Sequence, residues 1–205
     1  PLEIEADVSG LDDDPRIIRS VRGQVAVAST VGQVRRVRII PEKPRANPET
    51  ISALHDADLI TLGPGSWFSS VLPHVLVPDI VDAITSSDAL RVVVLNLSAE
   101  PGETQGFSAE RHLHVLAQHA PSLRVDRVIV DASGLPNESE RVFVQRAASV
   151  LGATAVFRDV CQYDEDGRSI NKHCPDKLAQ VLTELYAEYA ADRDGTAGAP
   201  DAHRG

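Results

Sequence analysis

From residue 58 to residue 190, short apolar runs rich in Val, Ile and Leu alternate with longer stretches whose apolar residues recur every three to four positions. Strands that alternate with helices of this length fold as right-handed βαβ units, and these build a mostly parallel sheet covered on both faces. Four strands are expected, at 58–62, 91–96, 127–131 and 154–157. The helices turn Val77, Ile80, Val81 and Ile84 toward a core, then Ala109, Leu113, Leu116 and Ala117. A third uses Phe143, Ala147, Val150 and Leu151, and the last uses Leu178, Val181, Leu182, Leu185 and Tyr189. The fold class is α/β, a Rossmann-like three-layer sandwich.

Ahead of this alternation, residues 2–7 read as a strand already in progress. A β-hairpin is expected from segments 24–29 and 34–40, with Gly32 in the turn between them. Period-two alternation puts Val37 and Ile39 on one face of the second strand and Arg36 and Arg38 on the other. Those arginines face solvent, a phosphate or a partner's carboxylates. Asp12, Asp13 and Asp14 form an acidic turn, which reads as a solvated loop or, with help from elsewhere, as metal ligands. Asn47 caps a short helix that starts at Pro48 and turns Ile51, Leu54 and Ala57 inward. From residue 191 the composition loses periodicity, so 1–190 form the domain and 191–205 a disordered tail. The chain starts at Pro1 and contains no methionine. It is expected to be the C-terminal part of a longer protein, with the N-terminal part of the fold lying outside it.

Composition narrows the classes of function. A formal charge of -10 argues against nonspecific binding to nucleic acid or to an anionic membrane surface. Backbone amides can still bind a phosphorylated small molecule, and association of like chains stays open. Two cysteines give no disulfide framework, which suits a reducing, cytoplasmic setting. No apolar run reaches the length of a membrane span.

Ligands of such sheets bind outside the carboxyl ends of the strands. The first loop there is Gly63-Pro64-Gly65-Ser66, followed by Trp67, Phe68 and Ser69. Glycine allows close backbone approach and positive φ, and Ser66 and Ser69 cap the following helix or donate to a phosphate. Trp67 and Phe68 either stack on a base or sugar or wedge the helix against the sheet. The second loop, 96–107, offers Asn96 as a hydrogen-bonding group and Glu103 as a base or metal ligand; Glu103 and Thr104 read equally as turn and cap residues. The third offers Asp131 and Asn137, for a sugar hydroxyl or a turn. In the fourth, Cys161 and Cys174 with His173 make a poor zinc pattern. His112 and His114 point to different faces of their helix, and no nucleophile motif appears. Catalytic residues are therefore not assigned, and neither is a metal site.

Two motifs together carry a resemblance. Residues 62–73, with Gly63-Pro64-Gly65-Ser66-Trp67-Phe68, resemble the GPGS-aromatic segment of the CofD/YvcK family. Asn96-Leu97, then Pro101-Gly102-Glu103-Thr104 and Gly106-Phe107, resemble its second signature. Gly167-Arg168, His173 and the run 175–179 look like the end of the YvcK branch, of the actinobacterial type. The resemblance implies a gluconeogenesis factor that binds a UDP-sugar, UDP-N-acetylglucosamine, and supports cell-wall synthesis and cell shape. Gly63, Pro64, Gly65, Ser66, Phe68, Ser69, Asn96, Glu103 and Thr104 would then line the ligand site. The other branch implies a phospholactate transferase of coenzyme F420 synthesis, and Mg²⁺ enters only through that alternative. The family's Gly-rich nucleotide loop and Asp-Asp-Gly-Gly stretch do not occur here, and positions 98–100 read Ser-Ala-Glu where Met-Thr-Gln is common.

Overall fold

A computed structural model describes residues 2–197 apart from 15, 101, 102 and 136. Its centre is a four-stranded parallel sheet of β4 (Leu59–Leu62), β5 (Leu90–Val94), β6 (Arg127–Asp131) and β7 (Thr154–Arg158), in that spatial order. Val93 lies opposite Val128, and Ile129 opposite Val156. Alternate residues of β5 and β6 enter two different cores. Val93, Val128 and Val130 pack with Ile84 of α4 (Pro78–Ser86), Leu113 and Leu116 of α5 (Ala109–His119) and Val144 of α6 (Glu138–Val150). Val92, Val94 and Ile129 pack on the opposite face with Val181 and Leu185 of α7 (Pro175–Ala197). Burial on both faces is why these strands read as unbroken apolar runs rather than as alternation.

The N-terminal part forms a separate antiparallel sheet in the order β2-β1-β3, from β1 (Glu3–Ser9), β2 (Ile18–Arg22) and β3 (Gln33–Ile40). The expected hairpin of 24–29 with 34–40 is not what forms. Residues Gln24–Ala28 are a short helix, α1, and β3 pairs instead with β1. The run Val25-Ala26-Val27 has no strand to join, because β1 is already bonded on both sides. It buries Val27 and leaves Val25 exposed. Val37 and Ile39 are buried as expected, and Arg38 reaches across the strand pair to Glu5 and Asp7. The acidic turn is likewise paired, Asp12 with Arg19 and Asp14 with Arg16.

Three further differences concern α6, α7 and a small hairpin. Phe143 and Val150 were expected inward on α6 but are 47% and 56% exposed, while Val144, Ala147 and Ala148 are buried. Positions 143 and 144 both start acceptable helical stripes; α6 turns inward the one that also carries Ala147 and Ala148, whose small side chains allow close approach. Helix α7 continues through 191–197, where composition suggested a disordered tail, carried on from the helix-favouring run Ala187-Glu188-Tyr189-Ala190-Ala191; residues 198–205 lie outside the described residues. Strands β8 (Cys161–Tyr163) and β9 (Ser169–His173) form a small antiparallel hairpin unforeseen in the sequence. The remaining helices are α2 (Pro48–Asp56), capped by Asn47 through the Glu49 N–H, and α3 (Leu72–Val75).

Candidate functional site

The Gly63–Ser66 loop leaves the carboxyl end of β4 and enters a π-helical turn, Trp67–Val71, which runs into α3. Gly63 has φ +78°, and a Cβ there would lie 2.7 Å from the Val94 carbonyl oxygen. No residue with a side chain fits that approach. The Gly63–Pro64 peptide is cis. At Gly65 both backbone groups are taken by one side chain: its N–H donates to Asn96 Oδ1 at 3.1 Å, and Asn96 Nδ2 donates to its carbonyl at 2.9 Å. The two loops are thus fastened together through the first residue after β5's carboxyl-end apolar run.

A second fastening lies deeper. The Phe68 N–H donates to Glu103 Oε2 at 3.1 Å. Ser66 precedes the turn but makes no capping bond with its side chain, so a carboxylate from the other loop caps the helix start instead. Glu103 is 3% exposed. Thr104, fully buried, accepts from the Glu100 N–H with its hydroxyl and donates its own N–H to the Glu100 carbonyl. Trp67 and Phe68 are fully buried as well. Trp67 meets the His112 ring edge-on at 5.1 Å, and Phe68 meets Phe107 at 6.0 Å. They wedge the loop and its helix into the core that joins the two sheets.

These placements divide the nine expected ligand residues. Phe68, Ser69, Glu103 and Thr104 are buried and hold the loops in shape. The Ser69 carbonyl is occupied by Gln24 Nε2 from α1. Gly63, Pro64, Gly65, Ser66 and Asn96 keep some exposure. Pro64, Gly65 and Asn96 line a cleft of about 260 Å³ together with Leu97, Ser98, Glu100, Asn171 and His173. Asn171 and His173 come from β9, more than seventy residues downstream of Asn96. Their hairpin is anchored by Ser98 Oγ to Asn171 Oδ1 at 2.9 Å and by His173 Nε2 to the Leu95 carbonyl at 3.2 Å. Sequence reasoning marked His173 in a poor zinc pattern and a closing motif, and Asn171 not at all; the positive φ of Asn171, +53°, sits within β9, where the pairing with β8 is irregular.

The electrostatics of this cleft are set by Glu100. Burial raises its pKa above the ordinary glutamate value, and the nearby Glu103 charge raises it further, opposed by a hydrogen bond from Ser66. The His173 pKa is lowered by burial, against the Leu95 carbonyl and the Asp131 charge. The cleft therefore offers neutral donors and acceptors and one carboxyl with a weakened tendency to ionise.

The third loop is a built turn. Asp131 accepts from the N–H groups of Val160 and Gly134 and from the Ser133 hydroxyl, which takes up most of its acceptor capacity. Asn137 reaches only Glu140 and makes no cap. Cys161 and Cys174 are free. Among the described residues no three His, Cys, Asp or Glu side chains form a set that could hold a metal, and no single helix is long and apolar enough to cross a membrane.

A family model described as "2-phospho-L-lactate transferase CofD" matches residues 4–170. The chain belongs to the CofD family. Within that CofD family its relatives are gluconeogenesis factors. A protein of Mycobacterium leprae named "Putative gluconeogenesis factor" is 56% identical over 181 residues, covering 88% of this chain and 49% of that protein. One of the same name from Mycobacterium tuberculosis is 55% identical over 186 residues, covering 91% and 53%. The "Gluconeogenesis factor" of Bacillus subtilis is 29% identical over 180 residues, covering 83% and 56%. The chain thus spans about half the length of the curated relatives it matches. A crystal structure of a UPF0052-family protein from Bacillus halodurans aligns with TM-score 0.68 at 23% identity, over 89% of this chain and 59% of that one. It shares the fold. The α/β fold, the CofD/YvcK family expected from the two motifs and the YvcK-like branch expected from the closing segment are borne out.

Proposed function

We propose that this chain forms part of a gluconeogenesis factor that binds a nucleotide-linked sugar, UDP-N-acetylglucosamine, and through it regulates cell-wall synthesis and cell shape. The observation that carries this reading is the double hydrogen bond of Asn96 to Gly65, which holds two carboxyl-edge loops as one wall. Across the cleft the β9 residues Asn171 and His173 form the other wall. A crevice at the carboxyl ends of parallel strands is where α/β sheets bind nucleotides. Pro64, Gly65, Ser66 and Asn96 contact the ligand from one side, and Ser98, Asn171 and His173 from the other. Glu100 tunes the affinity, because its carboxyl repels phosphate only when ionised. The test is calorimetry on the full-length protein. UDP-N-acetylglucosamine releases heat with a saturable isotherm, whereas equal, negligible heats for it and for a control sugar would reject the proposal.

The description of the matching family model favours a second reading, a transferase joining a phospholactyl group to a deazaflavin precursor. That branch implies Mg²⁺, and the described residues do not supply a ligand set that fits it. Incubation of the full-length protein with the activated phospholactate, the deazaflavin acceptor and Mg²⁺ yields product under this reading and none under the first.

A further inference from the structure

Asn96, Leu97 and Ser98 are a ridge between two clefts. The one on the far side, about 270 Å³, runs between the carboxyl ends of β5 and β6 and the first turns of α5 and α6. Its walls are unlike those of a phosphate site. Glu110 and Glu140 stand on it, and among the described residues no Lys or Arg lines it. Two aromatic side chains, Phe107 and Phe143, give it apolar faces. Phe143 is the residue that helical periodicity would have buried, yet it is 47% exposed on this cleft.

The deciding group is His112. It lines the cleft, is 3% exposed, and its Nδ1 lies 2.8 Å from the Ser108 carbonyl. A carbonyl only accepts, so Nδ1 carries the proton and Nε2 of the neutral ring is a bare acceptor. That Nε2 is buried and has no hydrogen-bond partner in the protein. Burial also lowers the pKa of this ring, with the Ser108 carbonyl opposing, which keeps it neutral. A buried acceptor left unpaired is costly, and native structures rarely leave one without a water or ligand to satisfy it.

We propose that this second cleft binds a neutral, hydroxyl- or amide-bearing six-membered ring, a sugar, with His112 Nε2 accepting one of its hydrogen bonds. The C–H face of such a ring packs on Phe143 and Phe107, and its hydroxyls donate to Glu110 and Glu140. Acidic walls reject phosphate and favour donors, and a cleft near the lower end of the small-molecule range, roughly 300 Å³, suits one ring. The ring arrives either as a free sugar or as the sugar of the nucleotide-linked ligand, with its phosphates across the Asn96–Ser98 ridge. Only that second source rests on the proposed function.

The test is a nuclear magnetic resonance titration of the full-length protein, observing the His112 ring nitrogens and the Phe143 ring. The probes are N-acetylglucosamine, inorganic phosphate and UDP-N-acetylglucosamine. N-acetylglucosamine is expected to move both signals saturably, and phosphate neither. Phe143→Ala, at an exposed position, weakens that binding about five- to tenfold without lowering the melting temperature, as loss of one aromatic contact requires. His112→Phe keeps a ring and removes the acceptor, and it abolishes the sugar-induced shift at Phe143. Sugar binding with no response to UDP-N-acetylglucosamine anywhere supports the cleft and rejects the nucleotide-sugar reading. UDP-N-acetylglucosamine shifting Asn171 and His173 while neither sugar probe moves His112 or Phe143 overturns the cleft and leaves that reading standing. Phosphate moving the same two signals also overturns it.

Discussion

The Asn96 side-chain amide bonds both backbone groups of Gly65, giving its oxygen to the N–H at 3.1 Å and its nitrogen to the carbonyl at 2.9 Å. No other natural side chain of that length presents a donor and an acceptor side by side. Asn96→Ala removes both bonds and leaves a half-buried amide and carbonyl without protein partners. The expected loss is about 1–3 kcal/mol of unfolding free energy, read from urea denaturation midpoints. Asn96→Asp keeps the acceptor but sets a carboxylate against the Gly65 carbonyl, so it restores little.

Gly63 answers a different constraint. Its φ of +78° and the 2.7 Å approach to the Val94 carbonyl oxygen bar any Cβ. Gly63→Ala is expected to cost roughly 1–3 kcal/mol, the range for a strained backbone conformation. Chemical denaturation measures it, and Gly106→Ala is the control: Gly106 has φ +76° but nothing within 4 Å of its added Cβ. The clash at Gly63 makes its variant the less stable of the two.

Arg91 and Asp126 tie β5 to the start of β6, with the Arg91 guanidinium and backbone N–H all donating to one carboxylate. Burial pushes the Asp126 pKa up, but the Arg91 bonds outweigh it and the net pKa is lowered. A lowered acid contributes stability above its unfolded value, and that contribution disappears as pH falls through the folded value, below 3.8. Asp126→Ala leaves Arg91 largely buried without its charge partner and costs about 3 kcal/mol near neutrality. Stability measured from pH 7 down to acid shows this penalty shrinking only below the ordinary aspartate range.

Glu100 has the opposite sign. Burial and then the Glu103 charge raise its pKa, so its neutral form is the one the folded cleft favours. Stability from this group is present at low pH and is lost as pH rises through a value above 4.5. Affinity for an anionic ligand falls over the same interval. Glu100→Gln removes the titration, raises affinity at neutral pH and flattens its pH dependence. Isothermal titrations at several pH values check it; an unchanged slope in the variant would place the sensitivity elsewhere.

Much of the architecture was readable because it is local. The β6 residues Arg127–Asp131 and the cap Asn47 follow from runs and periodicity within a dozen positions. Val25-Ala26-Val27 was not readable, because its choice of helix depends on β1 being fully paired by other segments. Phe143 was misplaced for a related reason, since neighbouring helix positions differ only in what they meet across the core. The Gly63–Ser66 and Asn96 loops meet at the carboxyl edge of the sheet, where their sequence placed them, but the opposite wall of the cleft was not foreseen. Asn171 and His173 reach it through a hairpin whose position is fixed by Ser98 and the Leu95 carbonyl, not by its own sequence. Glu103, read in sequence as a base, a metal ligand or a turn residue, accepts from the Phe68 N–H of the other loop.

In the proposed function the Asn96–Gly65 wall and the β9 wall together hold a nucleotide-linked sugar. Calorimetric titration of the full-length protein and its Asn96→Ala variant with UDP-N-acetylglucosamine tests it most directly. Saturable binding to the wild type is expected, weakened at least tenfold in the variant, a difference of about 1.4 kcal/mol. Equal affinity in both proteins, or no heat of binding in the wild type, would contradict it.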